Sequence, residues 1–260
     1  MIPQTSSSSL PGTLQMQYSS PSPLLSETEP SSPIVAEVVV LCYQLGPGDI
    51  NSALQRFQKS TPGLDLRWLV YDNTKSNLNI HHVWNQLLAS CQAKYWVNLS
   101  PDTQPHRGWL GRIIDVMEAN PRLAVCGPST DNTYNEQRAR DPKALELVPP
   151  GSWVPGTYPS GFACVYRTEV LKGLGGFRED FDFYGGDLDM CYRMASAGWL
   201  SGWCIKSFVG HTWGKDAKQR ADYGELRAKG NTQLSDALTL YNSNPGTWIH
   251  SQGKVERESS

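Results

Sequence analysis

From Val35 to Cys126 the chain repeats one pattern, a short apolar run followed by a stretch of helical period, and that alternation leaves few folds open. Val35 to Tyr43 is a continuous β-branched run, as in a strand buried on both faces of a parallel sheet. Asp49 then caps a helix in which Ile50, Ala53, Leu54 and Phe57 share one face, closed by Thr61-Pro62-Gly63. Leu66 to Tyr71 reads as a second strand, ending at Asp72-Asn73. Ile80, Val83, Trp84, Leu87, Leu88 and Cys91 step at i, i+3, i+4, i+7, i+8 and i+11, which is helical spacing. A third strand runs from Lys94 to Leu99 and ends in Ser100-Pro101-Asp102. Trp109, Leu110, Ile113, Ile114 and Met117 make a third helix, stopped at Asn120-Pro121, before a fourth strand at Leu123 to Cys126. The order predicts an α/β fold with a mainly parallel central sheet, helices on both faces and right-handed crossovers. Ligands of such sheets bind beyond the carboxyl ends of the strands, where Tyr43, Asp72 and Asp102 stand.

Beyond the alternation, residues 131 to 159 are rich in Pro, Gly and polar residues with Trp153 and Tyr158 embedded, a binding-loop composition. Gly161 to Tyr166 is a further strand, and Thr168 to Lys172 a short helix. Asp187 then stands at the N-terminus of a helix marked by Leu188, Cys191, Met194 and Ala195 and stopped at Gly198. A carboxylate in that position is favoured as the anion by backbone N–H groups and the helix dipole. Leu200 to Phe208 suggests a last strand, followed by His211-Thr212-Trp213-Gly214, and the chain past Lys215 is polar and helix-prone to about Tyr241.

Bulk properties exclude several classes. The 260 residues suffice for one domain with a sizeable core. A net charge of -2 leaves no basic footprint for nucleic acid. No apolar run reaches spanning length, since Glu37 interrupts even Ile34 to Leu45. Residues 1–33 are dominated by Ser, Pro, Thr and Gln, so they are expected to be a disordered tail, and they lack the pattern of a secretory signal. The 6 cysteines are spread through apolar segments with no CxxC, as expected of reduced core residues in a cytoplasmic protein.

Taken together, the motifs resemble the GT-A fold glycosyltransferases, in particular the inverting family 2 group. The resemblance runs from Val35 to Gly214. It comprises Tyr43 after the first strand, Asp72-Asn73 after the second, Asn79-Ile80 to Asn85 on a helix, and Leu99-Ser100-Pro101-Asp102-Thr103. Gly127-Pro128, Gly161 to Arg167, and Gly175 to Gly198 with its Gly-Gly-Phe-Arg-Glu and Asp187 to Arg193 elements follow in the family's order, then a lone His211. The resemblance implies a GT-A, Rossmann-like three-layer sandwich over residues 34–214, preceded by the tail 1–33 and followed by a helical extension, 215–260, with a frayed end.

The same resemblance implies roles. A nucleoside diphosphate sugar would be held by Tyr43, Asp72, Asn73 and Asn85, with Mn²⁺ or Mg²⁺ on Asp102 and His211. Asp187 would be the general base for an acceptor hydroxyl, with Asp189, Gly186 and Trp153 supporting the base or the acceptor. Arg193 would pair with a carboxylate and fix the helix. The acceptor, whether glycan, lipid-linked or protein, lies beyond the sequence, and the location implied is cytoplasmic or peripheral at a membrane. Four departures from the family pattern stand out. There is no Asp-x-Asp, because Ser100-Pro101-Asp102 offers one carboxylate. Gly186 replaces a Glu, Asn79 replaces a Gly, and Trp84 stands where a basic residue is common. The missing Asp-x-Asp and Gly186 keep open an alternative, a catalytically silent nucleotide-sugar or glycan binding module. A nucleotidyltransferase would want basic residues in Leu45-Gly46-Pro47-Gly48, which has none.

Overall fold

In the computed structural model, residues 13–16, 34–131, 137, 147–156, 158–181, 185–212 and 223–243 are described. Much of the expected binding loop, Trp213-Gly214 and the expected frayed end from 244 onward lie outside them. The β/α alternation is realised as β2 (Ala36–Cys42), α1 (Pro47–Ser60), β3 (Leu66–Asp72), α2 (Ile80–Ser90), β4 (Tyr95–Leu99), α3 (Trp109–Ala119) and β6 (Leu123–Ser129). Between β4 and α3 comes the short β5 (Thr103–Pro105). Downstream lie β7 (Trp153–Pro155), β8 (Ala163–Arg167), α4 (Thr168–Gly173), α5 (Gly186–Ser196), β9 (Leu200–His211) and α6 (Tyr223–Asn242).

The strands join in one sheet of order β1-β3-β2-β4-β8-β6-β9-β5, where β1 is Thr13–Met16 and β7 pairs with β9. Strands β2, β3 and β4 are parallel neighbours, as are β6 and β9, while β8 runs against both β4 and β6. Because β8 reverses, its entry segment 159–162 arrives at the rim where β4 ends. Leu99 pairs with Ala163, and Ser100 N–H donates to Phe162 O at 2.8 Å.

Period-2 alternation along the central strands feeds two cores. Val38, Val40, Tyr95, Val97 and Leu99 face α1 and α3, packing with Phe57, Trp109, Leu110 and Ile113. Val39, Leu69, Tyr71 and Trp96 face the other way, onto Val83, Leu87 and Leu88 of α2, Leu171 of α4 and Met190 and Met194 of α5. The result is the expected three-layer sandwich, mainly parallel at its centre. All 6 cysteines are free and buried in it.

Two expectations need correction. Asp49 does not cap α1: the helix starts at Pro47 with Gly46 as its N-cap, and Asp49 lies in the first turn, where the dipole still favours it. Within the expected tail, Thr13–Met16 pairs antiparallel with β3, Thr13 opposite Tyr71 and Met16 opposite Trp68. β3 would otherwise present a row of unpaired N–H and C=O groups, and this tetrapeptide lacks the Ser and Pro that fill its surroundings. Elsewhere the stop signals act as read. Trp199 N–H bonds Met194 O and Gly198 N–H bonds Ala195 O, both at 2.9 Å, closing α5 with Gly198 at φ +82°.

Candidate active site

The segment Gly161-Phe162 joins the two halves of the site. Its Gly161 N–H donates to Asp187 Oδ2 at 2.9 Å, and the other carboxylate oxygen accepts from Leu188 N–H at 2.9 Å. Asp187 is therefore not a plain N-cap. Gly185 is the N-cap, held at φ 92°, a backbone region that glycine enters without strain, and Asp187 takes the second helical position. Dense packing pushes the Asp187 carboxyl up from its ordinary range, and the Leu188 and Gly161 N–H groups hold part of that rise back.

One residue on, the Phe162 ring stacks on the imidazole of His211, centroids 4.4 Å apart and planes 17° apart. That imidazole faces Asp102: His211 Nε2 lies 3.5 Å from Asp102 Oδ1, with side chains 9 % and 7 % exposed. The register of the short β5 against β9, Thr103 opposite His211, brings the two together across 109 positions of sequence, from 102 to 211. Asp102 is not the cap of α3, a place taken by Gly108. A separation of 3.5 Å is long for a charge-assisted hydrogen bond. It suits two side chains placed to share one ion, since neighbouring ligands at about 2.1 Å from a metal stand roughly 3 Å apart. The carboxylate oxygen is a fitting donor for Mn²⁺ or Mg²⁺, and the imidazole nitrogen suits the softer Mn²⁺ better than Mg²⁺. Among the described residues no group of three or more His, Cys, Asp or Glu is arranged to hold an ion, so the pair is a two-ligand site at most there. Asp131, not anticipated from sequence, joins this corner by accepting His211 N–H at 3.0 Å.

Both halves rest on Asn98, a buried amide in the apolar strand β4. Its Nδ2 donates to Gly161 O at 2.6 Å and its Oδ1 accepts from Cys164 N–H at 2.9 Å. A lone amide in Tyr95-Trp96-Val97-Asn98-Leu99 was the sequence signal for it.

At the ends of β2 and β3, Cys42 is opposite Asp72, so Tyr43 and Asp72 are neighbours at the same rim as the end of β4. Asp72 is exposed, with Oδ1 accepting Thr74 N–H at 2.9 Å, and Tyr43 is half-buried. Asn73 has a different job from the one expected. It is 1 % exposed, and its amide bonds Leu78 O, Leu78 N–H and the Ser76 hydroxyl, building the loop 73–78 from inside. Asn85 is likewise engaged by protein: Nδ2 donates to Phe177 O and Glu179 Oε1, and Oδ1 accepts Phe177 N–H. Both amides are thus committed to protein partners.

The supporting residues also move from their expected places. Asp189 is 1 % exposed and bonded to Arg193 Nε at 2.8 Å, with Arg178 Nη1 at 3.4 Å. Arg193 continues to Leu174 O and Gly176 O, so the pair ties α5 to the segment before it, the structural role foreseen for Arg193. Asp189 thus fixes the helix that carries Asp187 and presents no carboxylate to an acceptor. A Cβ at Gly186 would stand 2.1 Å from His81 Nε2; the missing side chain makes room for this buried histidine, whose Nδ1 bonds Phe181 O at 2.7 Å. Trp153 is half-buried and lays its ring against Gly202, where a Cβ would meet it at 2.9 Å.

No family model matches the chain, and no curated protein matches it. Solved structures do. A mannosyltransferase, PcManGT from Pyrobaculum calidifontis, in complex with GDP-Man and Mn²⁺, superposes with a TM-score of 0.54 at 16% identity, covering 85% of this chain and 74% of that one. GalNAc-T7 with UDP, GalNAc and Mn²⁺ gives 0.52 at 11% identity, over 70% of this chain and 44% of that one. The fold is GT-A. The chain spans less than half the length of GalNAc-T7, so what it shares with that protein is a GT-A core. Among the described residues no helix is long and apolar enough to cross a membrane.

Proposed function

We propose that this GT-A chain is a glycosyltransferase that moves a sugar from a nucleoside diphosphate sugar to an acceptor hydroxyl with inversion, assisted by a divalent cation. The observation that carries the reading is the pair of bonds and contacts made by Gly161-Phe162, which sets a carboxylate with a raised pKa beside an Asp102–His211 pair at one rim of the sheet. Both structural neighbours hold a nucleotide and Mn²⁺ on the same fold, which supports the donor and cofactor classes.

Each residue then has a task. Tyr43 and Asp72, at the ends of β2 and β3, lie where the nucleoside would enter. Asp102 and His211 would hold Mn²⁺ or Mg²⁺, a cation that when bound to a diphosphate stabilises charge developing on the leaving group. Asp187 takes the proton of the acceptor hydroxyl at its carboxylate as that oxygen bonds to the anomeric carbon from the face away from the nucleotide and the bond to the nucleoside diphosphate breaks, which inverts the centre. A carboxylate raised from its usual range by packing is a better base than an ordinary aspartate, and its two N–H donors keep it in a single orientation. Asp189, Arg193 and Asn98 hold that orientation from behind.

The test is nucleoside diphosphate release from a panel of nucleotide sugars with Mn²⁺. Turnover by the wild type, falling by about 10²- to 10⁴-fold in Asp187→Asn while nucleotide binding persists, is the expected result. Binding of nucleotide sugar with no turnover in any variant would favour the silent binding module, for which the single carboxylate at Asp102 speaks.

A further inference from the structure

The turn that carries Asp102 is held at every carbonyl. Ser100 O accepts the Thr103 hydroxyl at 2.7 Å and Thr103 N–H at 3.3 Å, closing a tight turn with Pro101 and Asp102 in its middle. Asp102 O accepts Thr212 N–H at 3.2 Å, from the residue after His211. The remaining two carbonyls, those of Pro101 and Thr103 on either side of Asp102, both go to one side chain. Arg56 of α1 donates from Nη2 to Pro101 O and from Nε to Thr103 O, each at 3.1 Å. A planar guanidinium with two donors on one edge bridges two carbonyls in a way that a lysine ammonium does not match. The stem is fixed as well, since α1 packs into the core through Phe57 and the guanidinium lies 5.2 Å from that ring's centroid.

We infer that Arg56 is a positioning residue for the divalent-cation site: it locks the Ser100–Thr103 turn so that the single carboxylate of Asp102 stays opposite His211. The inference rests on the proposed reading of Asp102 and His211 as the cation ligands. A site with one carboxylate and one imidazole has little charge to draw a cation, so its affinity depends on the two donors being set in advance. No bond runs from Arg56 to Asp102's own oxygens among those described. It acts through the backbone on both sides of the ligand.

The experiment is a Mn²⁺ titration of the whole protein, followed by electron paramagnetic resonance, with Mn²⁺ alone and with UDP or GDP added. Arg56→Lys and Thr103→Val, which removes the hydroxyl bond on the other side of the turn, are compared with the wild type. The expected result is a 10- to 100-fold weaker Mn²⁺ affinity in both variants, with native circular dichroism retained. A folded Arg56→Lys that binds Mn²⁺ as tightly as the wild type overturns the inference. So does an Arg56→Lys that fails to fold, which would make Arg56 a support of the whole fold and not of this turn. A wild type that binds Mn²⁺ neither alone nor with nucleotide removes the reading of the site itself, a separate outcome from either of these.

Discussion

At Asp187, the proposed base, chemistry and stability pull in opposite directions. Its carboxyl is raised by packing, so in the folded protein it binds a proton more readily than in the unfolded chain. The sign of the linkage follows. Its contribution to stability is present below the unfolded value, near pH 4, and is lost as pH rises through the folded value. Comparing melting temperatures of the wild type and Asp187→Asn from about pH 4 to 7 is expected to show the difference moving in favour of Asn as pH rises. A constant offset, from the N–H group of Gly161 or Leu188 that an amide leaves unpaired, does not alter that trend. The acid limb of activity is expected above the pH at which an ordinary aspartate protonates. A difference in melting temperature that moves the other way would mean that the carboxylate is stabilised in place and poorly suited to act as a base.

At the scale of elements, α2 does more than pack. Asn79 caps its own helix by accepting His81 N–H and His82 N–H, then donates to Glu179 O and Phe181 O. His82 bonds Glu179, His81 bonds Phe181 O, and Asn85 takes both backbone groups of Phe177. The segment 177–181, which leads to Asp187, is thus fastened along one helix face. Asn85→Ala is expected to lower stability by about 2 to 4 kcal/mol, because it strands two backbone groups of a residue that is 3 % exposed. Denaturant unfolding checks it, and a loss below about 0.5 kcal/mol would mean that water takes over the amide's role. These bonds explain what sequence could and could not reveal. Helical spacing and β-branched runs encode the elements locally, so the strands, helices and the place of Asp187 were legible. The protein partners of Asn73 and Asn85 are not legible in the sequence, because an amide suits a nucleotide and a backbone turn equally, and only the fold brings Leu78 or Phe177 to them. Arg56 gave no signal, since its partners Pro101 and Thr103 come near only when α1 lies against the β4 end.

For the whole molecule, sheet order does what no single element does: it gathers the ends of β2, β3 and β4 and the reversed entry into β8 at one rim. The far edge is closed by β1, four residues paired with β3. Deleting residues 1–16 is expected to leave the circular dichroism spectrum unchanged and to cause concentration-dependent association, seen by size exclusion with light scattering, because the β3 edge becomes free to pair. A deletion variant that stays monomeric at high concentration would show that β1 does not guard that edge. On the proposed reading, Asp102, His211 and Asp187 belong to one site at that rim. Anomalous diffraction at the manganese edge, from crystals grown with Mn²⁺ and UDP or GDP, tests it most directly. One strong peak is expected in contact with Asp102 Oδ1, His211 Nε2 and diphosphate oxygens, with the Asp187 carboxylate facing the same cleft. A nucleotide bound elsewhere, or a manganese peak that touches neither Asp102 nor His211, would contradict it.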